Sequence, residues 1–150
     1  MASSKTHLLF LCTGNSCRSQ MAEGWAHALG GDWLEVRSAG IEAHGKNPRA
    51  IAVMAEARVD ISKQESTRLT DEMLRWADCL VTVCGHADEH CPVLPPGAHK
   101  LHWPLDDPAR AAGGEAEIMQ VFRASRDDIR HRVSKLLAQL QNNSTEGKTQ

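Results

Sequence analysis

Short apolar runs alternate with stretches of helical periodicity along this chain, and that alternation restricts its fold more than any other feature. Four runs have the length and composition of buried strands: His7–Leu11, Leu34–Ala39, Cys79–Cys84 and Lys100–Leu105. Strands that are joined through helices run parallel, and a parallel sheet is covered by helices on both faces. We therefore predict an α/β protein with three layers, α/β/α, around a four-stranded parallel sheet.

The helices between the strands begin and end at residues that are typical of helix termini. These residues are Gly30 and Gly31 at the end of the first helix, Asn47 and Pro48 at the start of the second, and Thr70 at the start of a short third helix. A last helix is predicted from about Glu115 to Leu140. We expect residues 1–140 to form a single domain and residues 141–150 to form a flexible tail.

Charge and composition exclude several functions. The 150 residues carry 17 Lys and Arg against 19 Asp and Glu, a net charge of −2 with neutral His, so the basic surface typical of nucleic-acid binding is missing. The longest apolar run, Leu8–Cys12, is far too short to cross a membrane, and Met1–Lys5 lacks the layout of a signal peptide. We expect a cytoplasmic protein with no nucleic-acid or membrane partner. Its five cysteines are then reactive thiols or metal ligands rather than structural disulfides.

The first candidate catalytic residues lie in the loop after the first apolar run. It reads Cys12-Thr-Gly-Asn-Ser-Cys-Arg18, a cysteine and an arginine with five residues between them. Because most of these residues are small and turn-prone, their N–H groups can surround a tetrahedral oxyanion at the start of the next helix. Arg18 would add a bidentate contact to the same anion, and the same positive dipoles would hold Cys12 as a thiolate. The alternative is a buried Cys at a strand end and an unrelated surface Arg.

A second glycine-containing segment, Gly40–Asn47, is close to the nucleotide-binding pattern G-x-x-x-x-G-K-[ST]. Asn47 stands where that pattern needs a Ser or Thr to bind magnesium. Pro48 disfavours helical backbone at Asn47, whereas a nucleotide-binding loop needs the helix to begin there. The segment therefore argues against a nucleotide site rather than for one.

Cys84 and Cys91 form a second candidate centre, with six residues between the two thiols. On a regular helix they would be about 10.5 Å apart along the axis. A disulfide needs Cα atoms within about 7 Å, so oxidation would require this segment to unwind. His86 and His90 lie between the cysteines, but the spacing is not that of a zinc site. Two ordinary loop thiols are the alternative interpretation.

Asp106 and Asp107 come directly before Pro108, after the fourth strand. Asp-Pro commonly begins a turn, but beside a bound oxyanion an Asp can protonate a leaving oxygen as a general acid. The two remaining cysteines, Cys17 and Cys79, are interpreted mainly as packing residues. We expect Cys17 to point away from Cys12, and Cys79 to begin a buried strand.

Taken together, these residues resemble the thioredoxin-coupled arsenate reductases, which share the fold of the low-molecular-weight tyrosine phosphatases. The resemblance spans about Leu8 to Leu137, and the phosphatases share the first loop and the Asp-Pro but lack the pair Cys84 and Cys91. The matching segments are Leu11–Trp25, Ser38–Gly45, Cys84 and Cys91 with Pro92, Leu94–Pro96, and His102–Ala109.

This resemblance implies reduction of arsenate to arsenite for arsenic detoxification. It makes Cys12 the nucleophile, Arg18 the anion clamp, Asp107 the acid, and Cys84 with Cys91 a thiol relay that thioredoxin regenerates. The oxyanion would be held by Thr13, Gly14, Asn15, Ser16, Cys17, Arg18 and Ser19, with Ser19 also stabilising the Cys12 thiolate. We expect phosphate or sulfate to compete with arsenate, a monomer, no tightly bound cofactor, and a redox-active Cys84–Cys91 disulfide.

The chain departs from the family at a few positions. Pro104 and Leu105 stand where the family usually has Gly and Phe before the Asp pair. Some relatives bind potassium beside the loop, and a set of three residues matches that site: Asn15, Glu23 and Ser38. Glu65 and Thr67 differ from the Thr and Asp of those relatives.

Two other functions stay open at this level. A phosphatase would use Cys12, Arg18 and Asp107 to hydrolyse a phosphoester, which leaves the second cysteine pair unexplained. A non-catalytic oxyanion or metal sensor would use the thiols but gives Arg18 and Asp107 no role. The reductase gives all of these residues a role, so the sequence favours it.

Overall fold

The computed structural model describes residues 5–84, 94 and 96–149, with side chains described through residue 142. The strands are β1 (Thr6–Cys12), β2 (Leu34–Gly40), β3 (Cys79–Thr82) and β4 (His99–His102). The helices are α1 (Arg18–Leu29), α2 (Pro48–Glu56), α3 (Asp71–Trp76) and α4 (Glu115–Thr149), with a 3-10 turn at Pro108–Arg110 before α4.

The four strands form one parallel sheet in the order β2-β1-β3-β4. Cys12, the last residue of β1, lies beside Gly40, the last residue of β2. Leu11 lies beside Thr82, the last residue of β3. Because parallel strands end at the same edge, the loops after β1, β2 and β3 come together there. The predicted four-stranded parallel sheet is confirmed.

Helices cover both faces of this sheet. Arg37 and Ser38 are neighbours on β2, so their side chains point to opposite faces. Ser38 hydrogen-bonds Glu23 of α1, whereas the guanidinium of Arg37 lies 4.3 Å from the ring centre of Trp76 of α3. Helices α1 and α3 therefore lie on opposite faces, and α4 packs against α1 and α2. Burial on both sides explains why Leu8–Leu11 of β1 is a continuous apolar run with no exposed side chain.

The predicted helix termini are also present. The Asn47 side chain accepts a hydrogen bond from the Arg49 N–H at 2.8 Å, and Pro48 is the first residue of α2. Thr70 accepts from the Met73 N–H at 3.2 Å and begins α3. These caps satisfy N–H groups that have no partner inside the helix, so local sequence decides where these helices begin.

Three boundaries differ from the prediction. Strand β4 ends at His102 rather than near Leu105, because Pro104 has no N–H to donate and the Leu105 N–H turns back to the Trp103 carbonyl. Strand β3 ends at Thr82. Helix α4 continues through Thr149 across the predicted tail, since no proline follows Leu140 to end it. Among the described residues, no helix is both long and apolar enough to span a membrane.

Candidate active site at the carboxyl ends of the strands

A cavity of about 620 Å³ opens at the carboxyl end of β1, and we call it the Cys12 cavity. Its walls come from the loop after β1, from His44 in the segment after β2, from Cys84 shortly after β3, and from the segment after β4. The lining residues are Cys12, Thr13, Gly14, Ser16, Cys17, Arg18, His44, Cys84, Leu105, Asp106, Asp107 and Arg110. The cavity thus brings together most of the residues predicted for the site. Cys91 lies outside the described residues.

The loop Cys12–Arg18, called the oxyanion loop below, is held by the segment that follows β2. Backbone N–H groups of this bracing segment, Ile41–Asn47, donate to four carbonyls of the loop. The pairs are Ile41 to Cys12 at 3.0 Å, Glu42 to Thr13 at 2.9 Å, His44 to Gly14 at 2.9 Å, and Asn47 to Ser16 at 3.1 Å.

These contacts decide where the N–H groups of the oxyanion loop point. In a trans peptide the carbonyl and the N–H point in opposite directions. Four carbonyls point outward to the bracing segment, so the N–H groups of the same peptides point to the other side. The Asn15 N–H shows this directly, because it donates to the Cys12 sulfur at 3.1 Å. The loop therefore presents a ring of N–H donors around the thiol, which is the geometry that binds a tetrahedral anion.

The near-match to a nucleotide-binding motif is explained by this bracing role. Gly40 lets the two loops approach: a Cβ there would lie 2.7 Å from the Asn15 nitrogen and 2.2 Å from the Glu42 oxygen. The Lys46 ammonium donates to the Ser62 carbonyl, and Asn47 caps α2. Gly40 thus makes room for the oxyanion loop, and the lysine is engaged with the segment 61–62 instead of a nucleotide.

The Cys12 thiol is buried and receives two hydrogen bonds. One is from the Asn15 N–H, and the other involves the Ser19 hydroxyl at 2.8 Å. The Ser19 oxygen already accepts a hydrogen bond from the Asn15 side-chain amide at 2.8 Å, so its own proton is free to be donated to the sulfur. The backbone N–H of Asn15 and the hydroxyl of Ser19 therefore fix the position of the Cys12 sulfur in the oxyanion loop.

Asn15 holds the oxyanion loop in an uncommon conformation. Its φ is 50°, in the left-handed region, and it is fully buried. The side-chain amide donates to Ser19 and, at 3.0 Å, to Ser38, while its oxygen accepts from the Thr67 N–H at 2.7 Å and from Gln20 at 3.2 Å. Every hydrogen-bonding atom of the side chain is engaged, which compensates for the strained backbone.

Arg18 and Asp107 lie next to each other in the wall of the cavity. One Arg18 nitrogen donates to the Leu105 carbonyl at 3.0 Å, and the other lies 3.8 Å from an Asp107 oxygen. The second Asp107 oxygen accepts from the Ala109 N–H at 3.0 Å and so begins the turn Pro108–Arg110. Although Pro104 and Leu105 depart from the family sequence, the Leu105 carbonyl takes part in positioning Arg18.

Cys84 is buried in the wall of the same cavity, where its sulfur lies 3.2 Å from the Thr13 hydroxyl. The other two described cysteines differ in character, because burial raises the pKa of Cys17 and of Cys79 to about 11 in each case. Both therefore stay protonated near neutral pH, as expected of packing residues. Cys17 also lines the Cys12 cavity, as a residue of the oxyanion loop.

The residues predicted for potassium form one hydrogen-bonded chain. The Asn15 amide donates to the Ser38 hydroxyl, which donates to the Glu23 carboxylate at 2.5 Å. A cavity of about 220 Å³ adjoins this chain and is also lined by Glu65 and Thr67. Within the described part of the chain, no group of three or more His, Cys, Asp and Glu residues is placed to hold a metal ion. The zinc alternative at His86 and His90 lies outside that part.

The sequence analysis assigned no role to three further residues of the site. Gln20 is buried and donates to the Asn15 carbonyl at 3.1 Å and to the Glu65 carbonyl at 2.9 Å. His44 packs on Gly14, where a Cβ would lie 2.3 Å from its ring nitrogen. Arg110 lines the mouth of the Cys12 cavity. These contacts become visible only when the tertiary structure brings the separate segments together.

The parallel sheet, the oxyanion loop and its buried cysteine define a class of α/β proteins that hold a tetrahedral oxyanion against a cysteine thiol. Within this class, the chain belongs to the low molecular weight phosphotyrosine protein phosphatase family, whose model matches residues 7–146. The predicted phosphatase-like fold is thereby confirmed.

Curated relatives within this family are arsenate reductases. The chain is 52% identical to the arsenate reductase of Halalkalibacterium halodurans over 129 residues, covering 86% of this chain and 93% of that protein. It is also 52% identical to the arsenate reductase of Bacillus subtilis over 126 residues, covering 84% and 91%. The resemblance stated from the motifs is confirmed by these relatives.

Solved structures of arsenate reductases and of a phosphatase are similar to the structure of this chain. An arsenate reductase in a phosphate-binding state matches with a TM-score of 0.73 and 34% identity, covering 89% of this chain and 98% of that one. A thioredoxin-dependent arsenate reductase of Corynebacterium glutamicum matches with a TM-score of 0.73 and 32% identity, covering 95% and 65%. An arginine phosphatase of Geobacillus stearothermophilus matches with a TM-score of 0.79 and 26% identity, covering 94% and 96%.

Proposed function

We propose that this protein is an arsenate reductase that works through a relay of three thiols, Cys12, Cys84 and Cys91, and is regenerated by thioredoxin. The observation that carries the proposal is the placement of Cys84 in the wall of the Cys12 cavity. A phosphatase needs one cysteine beside the oxyanion, whereas a two-electron reduction needs a second thiol that can reach the first. The similarity to named arsenate reductases supports the same conclusion.

The first step is the binding of arsenate by the N–H groups of the oxyanion loop and by Arg18. The Cys12 thiolate attacks arsenic and displaces one oxygen, which takes a proton from Asp107 and leaves as water. Asp107 is suited to this step because its carboxyl group lines the cavity next to Arg18. Ser19 and the Asn15 N–H hold the attacking sulfur as a thiolate until arsenate arrives.

The second step is the reduction. The Cys84 sulfur, after losing its proton, attacks the Cys12 sulfur of the arsenic adduct. The sulfur–arsenic bond breaks, its electron pair goes to arsenic, and arsenite leaves. A Cys12–Cys84 disulfide remains, so the two electrons gained by arsenic come from the two thiols. The hydrogen bond between Thr13 and Cys84 holds the second thiol at the cavity before this attack.

The last steps restore the enzyme. Cys91 attacks Cys84, which releases the Cys12 thiolate and forms a Cys84–Cys91 disulfide. Thioredoxin then reduces that disulfide by exchange and returns two electrons. No tightly bound cofactor takes part. Because a relay of this kind needs its thiols reduced, we place the protein in the cytoplasm, where disulfides are kept reduced.

The experiment measures arsenate-dependent NADPH consumption in the presence of thioredoxin and thioredoxin reductase. We expect steady turnover for the wild type and none for Cys84→Ala or Cys91→Ala. Cys79→Ala is the matched control, since Cys79 is buried in β3 and does not line the cavity. Full turnover in the Cys91 variant would remove the third thiol from the mechanism, and no arsenate dependence in the wild type would reject the reductase.

Phosphoester hydrolysis is a second candidate, favoured by the meeting of Cys12, Arg18 and Asp107 in one cavity and by the similar arginine phosphatase. It makes a different prediction for the second thiol. Hydrolysis of an aryl phosphate would be retained in Cys84→Ala, whereas arsenate reduction would be lost. Turnover of aryl phosphate that greatly exceeds arsenate turnover would make hydrolysis the main activity.

We also propose that potassium binds beside the loop, at Asn15, Glu23 and Ser38. The adjoining cavity is lined by Glu23, Ser38, Glu65 and Thr67 together with Arg37 and Met73, and carboxylate and hydroxyl oxygens suit a hard cation. Bound there, the ion would stiffen the hydrogen-bonded chain that ends at Asn15. Potassium should then raise the thermal midpoint above its value in sodium at equal ionic strength, and Glu23→Gln should abolish the difference. Equal midpoints in the wild type would exclude the site.

A further inference from the structure

We propose that Arg110 recruits the oxyanion to the Cys12 cavity and sets the affinity for the substrate without taking part in the chemistry. The inference deepens the proposed function and rests on it for the identity of the substrate. Arg110 lines the cavity and is exposed, whereas Arg18 lies deep within it and is buried. The two arginines therefore belong to the exposed and to the buried part of the same cavity.

The backbone of Arg110 is fixed relative to the acid. Its N–H donates to the Asp107 carbonyl at 3.1 Å, and the Ala111 N–H donates to the Pro108 carbonyl at 3.1 Å. Together with the Asp107 side chain on the Ala109 N–H, these bonds make a rigid turn. The turn that aims Asp107 into the cavity thus also places Arg110 at the rim.

The charge of Arg110 is uncommitted within the described part of the chain. Arg18 is engaged with the Leu105 carbonyl and Asp107, but no hydrogen bond or ion pair joins the Arg110 side chain to any described residue. An uncommitted guanidinium at a rim can meet an incoming anion without first breaking another contact.

A positive charge at the rim is favourable because a second acidic residue, Asp106, lines the cavity beside the acid Asp107. A carboxylate at that position repels an anion that approaches. Arg110 offsets this repulsion. Arsenate is an anion near neutral pH, while arsenite is uncharged, so a rim cation attracts the substrate and does not retain the product.

This difference in charge predicts which kinetic constants change. Replacing Arg110 with Ala should lower kcat/KM for arsenate about fivefold at low ionic strength, the upper range for an exposed charge. The kcat should stay within about twofold of the wild type, because the side chain is absent from the reacting atoms and the product is neutral. Arg110→Lys should retain most of the affinity, and Arg110→Glu should lose more than Arg110→Ala.

The experiment measures arsenate kinetics in low salt and in 0.5 M NaCl for these variants. Arg75→Ala is the matched control, since Arg75 is an exposed arginine of α3 that does not line the cavity. We expect high salt to bring the wild type and Arg110→Ala together, because rim charges are screened. An unchanged kcat/KM in Arg110→Ala, an equal loss in Arg75→Ala, or a loss that appears mainly in kcat would overturn the inference.

A second measurement separates this inference from the proposed function. Inorganic phosphate should protect Cys12 from iodoacetamide, as followed by mass spectrometry of the Cys12 peptide. Arg110→Ala should need about fivefold more phosphate for the same protection. If the wild type fails to reduce arsenate but shows this difference, the reductase is rejected and Arg110 keeps its role. If protection is identical in the two proteins, the role of Arg110 is rejected.

Discussion

Asn15 is the residue on which the shape of the oxyanion loop depends most, and its replacement by Ala gives a sharp test. At a φ of 50°, Ala is less favourable than Gly by about 1 kcal/mol. The substitution also removes the side-chain partner of the Thr67 N–H, which costs about 1–2 kcal/mol if that group stays buried and unpaired. Two further lost hydrogen bonds, to Ser19 and Ser38, add about 1 kcal/mol each.

We therefore expect Asn15→Ala to lower the free energy of unfolding by about 4–5 kcal/mol. Asn15→Gly should be about 1 kcal/mol more stable than Asn15→Ala, because glycine accepts the left-handed backbone at no steric cost. Urea unfolding followed by tryptophan fluorescence measures both values. The control is Asn47→Ala, which removes an ordinary helix cap worth about 1 kcal/mol.

Two results would refute this reasoning. If Asn15→Ala loses no more stability than Asn47→Ala, the buried network contributes little and the loop is held by the bracing segment alone. If Asn15→Gly is less stable than Asn15→Ala, the backbone at this position is not under the strain that its φ indicates.

Three further predictions concern the acid, the thiolate and a surface ion pair. Asp107→Asn should keep the turn, because Asn can also cap it, but should lower kcat for arsenate about 100-fold through loss of the acid. The control Asp106→Asn, at the exposed neighbouring residue, should change kcat less than threefold. Equal effects of the two substitutions would reject Asp107 as the general acid. Ser19→Ala should slow arsenite formation in a single turnover by about tenfold, which is the value of one hydrogen bond to a charged sulfur. Ser19→Thr, which keeps the hydroxyl group, should restore most of the rate. A normal rate in Ser19→Ala would contradict the role of Ser19 in stabilising the Cys12 thiolate. Hydrogen bonding to Arg123 lowers the pKa of Glu56, so this carboxylate stabilises the fold above its unfolded pKa and loses that effect as the pH falls through its lower folded value. The thermal midpoints of wild type and Glu56→Gln should therefore differ at pH 7 and converge in acid; a constant difference would show that charge is not the cause.

Local sequence was sufficient to predict the strands, the starts of helices and the candidate oxyanion loop. The apolar runs predicted four strands because a sheet that is buried on both faces needs consecutive apolar residues, as Leu8–Leu11 shows. Asn47 and Thr70 predicted where helices begin, because a cap acts within three residues of its own position. The spacing from Cys12 to Arg18 predicted an oxyanion loop because the groups that would bind the anion all lie within this one short segment.

The ends of strand β4 and helix α4 were predicted less well. Strand β4 ends at His102, although apolar residues continue beyond it to Leu105. Hydrophobicity alone does not tell whether the next N–H finds a partner in the neighbouring strand. Helix α4 continues past Leu140 because a polar composition, without proline, does not by itself stop a helix.

The arrangement of the site was decided only by tertiary structure. Nothing in the segment Ile41–Asn47 indicates that it braces the loop after β1, because that contact depends on β1 and β2 being parallel and ending side by side. The meeting of Cys84 with Cys12, and of Arg18 with Leu105, joins residues more than 70 positions apart. The residue types that carry the chemistry are therefore a property of the sequence alone. Their distances and directions, and the role of Arg110 at the rim, exist only because the parallel sheet brings the ends of its strands to one edge.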